Sequence, residues 1–127
     1  MQGKHLFEYA VIRYVPRVER EEFLNVGVIV YCKSKGFLQV KYALDEMRLK
    51  HFFANADMEE LEQRLQTFTK ICEGKKEGGT VGYFPVAERF RWLTANRSTI
   101  VQSSAVHPGF CDDGDKMLNH LFEKLVL

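Results

Sequence analysis

The chain has 127 residues, 18 basic and 17 acidic, giving a formal net charge of +1 with histidine neutral. At 46% hydrophobic and 28% charged residues it can fill one core, which excludes wholesale disorder, and its length suits a single domain over residues 1–127. The near-balanced charge argues against a strongly basic nucleic-acid module.

The apolar-leaning run from Leu6 to Val15 is broken by Glu8 and Arg13, and no small-residue cleavage site follows it. It does not read as a signal peptide, and no stretch approaches the roughly 18 to 20 apolar residues of a membrane span. Cys32, Cys72 and Cys111 are odd in number and far apart, with no CxxC pair, so neither a structural zinc site nor a disulfide framework is indicated. The expectation is a soluble cytoplasmic protein with no membrane association, no metal and no cofactor.

Leu6 to Val15 is dense in β-branched and aromatic residues on both alternating sets, the pattern of a central strand covered on both sides. Pro16 ends it, and Arg17 to Glu22 is the connection. Phe23 to Cys32 is a second strand, with a bulge or close backbone approach expected at Gly27. A turn at Lys33 to Gly36 leads into a third strand, Phe37 to Ala43. Three strands joined by short polar turns make an antiparallel meander.

The period then switches. Asp45 caps a short helix carrying Met47, Leu49, Phe52 and Phe53. Asp57 caps a longer one, with Glu60 in the position that completes a capping box. Leu61, Leu65, Phe68 and Ile71 or Cys72 recur along it at helical spacing, and Gly74 ends it. Residues 74–82, GKKEGGTVG, hold four glycines and no large apolar side chain. They read as a mobile loop and the best candidate for a flap.

Ala87 to Leu93 is either a helical turn or the start of a strand. Ser98 to Val106 reads as a fourth strand with Ile100, Val101 and Val106 turned inward, broken by His107-Pro108-Gly109. Asp112 or Asp113 then caps a final helix whose apolar face is Met117, Leu118, Leu121, Phe122 and Leu125. Strands, then helices, then a strand and a helix specify an α+β fold: an antiparallel or mixed sheet with helices packed on it.

Chemistry-bearing residues concentrate between Arg97 and Asp113. Ser98, Thr99, Ser103, Ser104, His107, Cys111, Asp112 and Asp113 supply hydroxyls, an imidazole, a thiol and carboxylates within seventeen residues. Each also has a structural explanation: solvent-facing strand hydroxyls, a turn histidine and helix-capping aspartates. Arg13, Arg17, Arg91 and Arg97 form a second set. Arg13 interrupts a strand that otherwise looks buried, so it needs a carboxylate partner, for which Glu8 and Glu88 are candidates, or an anionic ligand. Arg13, Arg91, Arg97, Ser103, His107 and Asp112 are therefore the candidate anion-binding residues, guanidinium groups being suited to phosphate and carboxylate.

The glycine-rich loop fails the phosphate-cradle test, because Thr80 stands where the lysine of GxxxxGK belongs and the segment follows a helix. His5, His51, His107 and His120 are dispersed, with no HxxxH or HExxH spacing. Phe90 and Trp92 alternate with Arg89 and Arg91, a mixture of rings and guanidiniums that favours a protein interface over a single-strand nucleic-acid platform.

Two stretches, YAVIRYVPRVEREEFLNVGVIVYC from Tyr9 to Cys32 and RFRWLTANRSTIVQSSAVHPGFCDD from Arg89 to Asp113, resemble a bacterial domain-of-unknown-function family, numbered three-zero-three-seven. The resemblance covers nearly the whole chain, through LFEKLV at Leu121 to Val126. It implies that Arg13, Pro16, Phe23, Asn25, Gly27 and Gly36 occupy the family's first motif, and Arg97, Ser103, His107, Pro108 and Asp112 its second. It also implies an accessory role beside a protein partner, with a HipA-like kinase as the candidate. Lys41 departs from the arginine expected there in the third strand, which puts any role carried over to that position in doubt. Two functions follow: an accessory or binding module acting through a protein partner, or a small enzyme or binding domain for a phosphorylated or nucleotide-like anion.

Overall fold

The computed structural model describes residues 4–127. Its elements run β1 (His5–Tyr14), β2 (Leu24–Cys32), β3 (Phe37–Tyr42), α1 (Glu46–Phe52), α2 (Met58–Glu73), α3 (Val86–Leu93), β4 (Val101–Ser103), β5 (His107–Cys111) and α4 (Gly114–Leu125). The sheet is antiparallel in the order β3-β2-β1-β4, and β5 pairs with β1 as well. The meander read from the sequence is therefore present, in an α+β fold.

Because side chains alternate along a strand, β1 feeds two cores. Ala10, Ile12 and Tyr14 point to one face, where they meet Leu49 of α1, Leu61, Leu65 and Phe68 of α2, and Phe90 and Leu93 of α3. Phe7 points to the other, where Val28, Val30 and Cys32 of β2 meet Leu118, Leu121 and Phe122 of α4. Both expected coverings of β1 are thus realised.

Gly27 does what its sequence position suggested. The register slips between Ile12 and Arg13, so that Ile12 faces Gly27 while Arg13 faces Asn25, leaving Val26 as the extra residue. A Cβ on Gly27 would lie 2.9 Å from the Lys41 carbonyl oxygen of β3. Asp45 accepts from the Arg48 amide at 3.2 Å and Asp57 from the Glu60 amide at 3.0 Å, as N-caps. The Glu60 carboxylate pairs with Arg64, at 3.1 Å, one turn on.

Of the two readings of Ala87 to Leu93, the helical one is realised, inside α3. Two expectations are corrected. The fourth strand is only Val101–Ser103, and His107-Pro108-Gly109, expected to break it, begins β5 instead. Pro108 fits there because β5 is an edge, where a missing N–H can face outward. At the break, the Val11 amide donates to Ser104 Oγ at 2.8 Å, so a side chain substitutes for a ladder partner.

The second correction concerns residues 74–82, which are folded down rather than open as a flap. Lys76–Gly78 and Val81–Tyr83 form two short 3-10 turns, and Gly82 is buried where a Cβ would lie 2.3 Å from the Lys75 carbonyl oxygen. The anchor is Arg89, only 8% exposed. Its Nη1 donates to the carbonyls of Ile71 and Cys72 at 2.8 and 2.7 Å, and its Nε to that of Phe84 at 2.9 Å. A cation at the α2 C-terminus thereby satisfies carbonyls the helix leaves open.

Candidate functional site

The six anion-binding candidates are dispersed. Arg91 forms a two-pronged ion pair with Glu8, at 2.9 and 3.1 Å. Arg97 donates to the Trp92 carbonyl and lies over the Trp92 ring at 4.8 Å, so it belongs with α3. Ser103 faces Ile12 across the sheet and donates to the Ser104 carbonyl at 2.8 Å. His107 faces Tyr9, ring against ring at 5.3 Å. Asp112 pairs with Lys4 at 3.1 Å.

Arg13 projects from the α4 face of β1, so the sheet stands between it and Arg97. The β4 strand does lie beside β1, yet Arg13, Arg97 and His107 do not converge. Neither Glu8 nor Glu88 serves Arg13, since Glu8 is taken by Arg91 and no ion pair among the described residues includes Arg13. Its guanidinium lies over the Phe23 ring at 3.9 Å instead. Three residues of the first stretch, Arg13, Phe23 and Asn25, thus meet at one end of β1.

The opposite end of β1 has another character. Leu6 and Phe110 are directly facing residues of β1 and β5, and they are 55% and 67% exposed. They share the face of the sheet on which α3 lies. A groove of about 430 Å³ adjoins Leu6 on the β2 side, lined by Leu6, Glu8, Tyr31, Lys33 and Ser34. Exposed apolar side chains that form a contiguous patch beside a groove mark a contact surface more often than scattered ones do.

A cleft of about 370 Å³ on the other side of this end is lined by His5, Cys32, Phe37, Cys111 and Asp112 among others. Ser34 Oγ lies 3.0 Å from His5 Nδ1 and 3.6 Å from Cys32 Sγ, tying the start of β1 to the turn after β2. Burial pushes the Cys111 thiol up, with Cys32, Asp112 and Asp113 adding to it. A thiol held protonated is a poor nucleophile. Among the described residues no group of three His, Cys, Asp or Glu is placed to hold a metal ion. No helix there is long and apolar enough to cross a membrane.

Sequence reasoning missed Leu6–Phe110 because it treated the segment before Phe110 as a breaker, which hid the pairing with β1. The parity of Leu6 with Ala10 and Ile12 gave no warning that its own face runs out of cover. The sequence singles out Asn25 only through the family resemblance and Ser104 only as one hydroxyl among several; the fold shows that Asn25 faces Arg13 and that Ser104 accepts from the Val11 amide.

The fold defines a small α+β protein in which the Arg13–Phe23–Asn25 cluster and the exposed Leu6–Phe110 pair sit at opposite ends of one central strand. The chain belongs to the family described as Protein of unknown function (DUF3037), whose family model matches residues 9–126. Neither a curated protein nor a solved structure matches it.

Proposed function

We propose that the protein is an accessory or binding module that acts through a protein partner docked at the Leu6–Phe110 face. The observation that carries this reading is the exposure of two large apolar side chains, paired across β1 and β5, beside an apolar groove. Leaving such a pair partly in water forgoes a share of the about 1.5 to 3 kcal/mol that full burial supplies per side chain. The separate commitments of Arg91, Arg97, Ser103, His107 and Asp112 favour this reading over an enzyme with an assembled anion site.

The groove suits an apolar anchor residue, with Lys33 at its rim for an acidic neighbour on the partner. A HipA-like kinase is the first partner to test, on the family resemblance. The test is capture of purified kinase by immobilised wild-type protein and by Leu6→Glu and Phe110→Glu variants. Binding by the wild type and at least tenfold weaker binding by both variants supports the reading. Equal capture by all three places the contact elsewhere, and no capture by any removes the kinase as partner.

A further inference from the structure

Arg13 is a cation without a counter-charge among the described residues. Strand pairing sets it opposite Asn25 on one side and Gln102 on the other. The Phe23 ring beneath the guanidinium is 44% exposed, so this end of the sheet is open to solvent. A ring attracts a cation through its face, but the N–H donors of a guanidinium lie in its own plane and need acceptors there. Arg13 Nε is buried and donates to no group among the described residues.

Asn25, the facing residue, carries the opposite deficit. Its Nδ2 donates to the Leu125 carbonyl at 3.1 Å, while its buried Oδ1 accepts from no group among the described residues. Buried polar atoms are nearly always partnered, and an orphan donor and an orphan acceptor on facing residues need an explanation. The shared answer is a group that brings both an oxygen acceptor and a hydrogen donor.

We propose that Arg13, Phe23 and Asn25 form a receiving site for an oxyanion that carries an adjacent N–H or O–H. The oxyanion accepts from the Arg13 guanidinium, the neighbouring donor reaches Asn25 Oδ1, and Phe23 holds the guanidinium flat. Hydrogen phosphate has this combination in one ion, and an aspartyl residue has it in its carboxylate and backbone amide. The site is on the far end of β1 from Leu6–Phe110 and stands or falls independently of it.

Isothermal titration of the intact protein with inorganic phosphate, acetate and N-acetyl-aspartate amide, each against chloride of equal ionic strength, tests the proposal. Saturable one-to-one binding of phosphate or the aspartyl amide is expected, with acetate weaker because it lacks the donor. Phosphate as the tighter ligand indicates a free anion, and the aspartyl amide as the tighter one indicates an acidic residue of a protein. Arg13→Lys should weaken binding at least tenfold, since lysine lacks the planar fork. Phe23→Leu, which keeps the charge, should weaken it several-fold and serves as the test if Arg13→Lys does not fold. Absence of saturable binding by all three probes overturns the proposal, as does unchanged affinity in a folded Arg13→Lys or, failing that, in Phe23→Leu.

Discussion

Arg89 and Arg13 are both arginines drawn into the body of the protein without a carboxylate partner, and they end in opposite states. Arg89 sits against the α2 C-terminus, where three backbone carbonyls accept from it. Arg13 lies near the last turn of α4, but the Leu125 carbonyl there is taken by Asn25, and an aromatic ring is what Arg13 receives. The difference shows that a buried guanidinium needs in-plane acceptors more than it needs an anion. A helix end can supply them and turn a charge into scaffold. Where it does not, the charge remains available to something else.

The largest expected effect lies in the core that the Arg89 junction holds in place. Leu65 is fully buried between α2 and the sheet, and Leu65→Ala should cost about 2 to 5 kcal/mol in urea unfolding. Next comes Arg89→Met, which leaves the Cys72 and Phe84 carbonyls without their Arg89 donor and the Ile71 carbonyl with the Gly74 amide alone. A loss of about 3 kcal/mol is expected, with faster proteolysis after Lys75 or Lys76 as segment 74–82 is released. If Arg13→Met costs as much as Arg89→Met, the contrast between the two arginines breaks.

A smaller effect should appear at high pH. Burial pushes the Cys72 thiol from 9.0 up to about 12, although nearby Arg89 works the other way. A folded-state pKa above the unfolded one means that the native state holds its proton more tightly. Stability from this group is therefore complete below about pH 9 and is lost as pH rises through about 12. Tyr14 and Tyr42, raised by burial and by neighbouring carboxylates, act in the same direction. Cys72→Ala should flatten part of this alkaline loss in thermal melts between pH 8 and 11.

Smallest of all are the variants at the open ends of β1. Arg13→Met should change unfolding free energy by less than about 1 kcal/mol, because the lost attraction to Phe23 is offset by removing an orphaned donor. Leu6→Glu and Phe110→Glu should stay within about 0.5 kcal/mol of the wild type, since both side chains already face water. A large loss in either would mean that the apolar pair is structural.

Much of the fold was legible in the sequence because each local signal agreed with the tertiary one. Asp45, Asp57 and Gly74 mark helix ends by chemistry that needs no distant partner. The two-sided apolar pattern of β1 announced its central place. The rest depended on contacts far along the chain. The flap reading of residues 74–82 failed because their anchor, Arg89, follows the segment and reaches back to α2. His107-Pro108-Gly109 looked like a breaker because an edge strand tolerates the residues that a central strand excludes.

The candidate sites were legible only in part. Arg13 stood out as a charge in an apolar strand, and that anomaly survives. Its supposed companions are not gathered around it: the sheet stands between it and Arg97, and His107 faces Tyr9, four residues back along β1. Asn25 and Phe23 become significant only when the register at the Gly27 bulge is known.

The contrast between the two arginines is tested most directly by nitrogen-15 spectra of their Nε–H groups, followed with and without phosphate. Arg89 Nε–H should exchange slowly with solvent and keep its shift on adding phosphate, because the Phe84 carbonyl already accepts from it. Arg13 Nε–H should move as phosphate is added, and the change should saturate. An Arg13 Nε–H that is unmoved by phosphate, or an Arg89 Nε–H that shifts with it, would contradict the account.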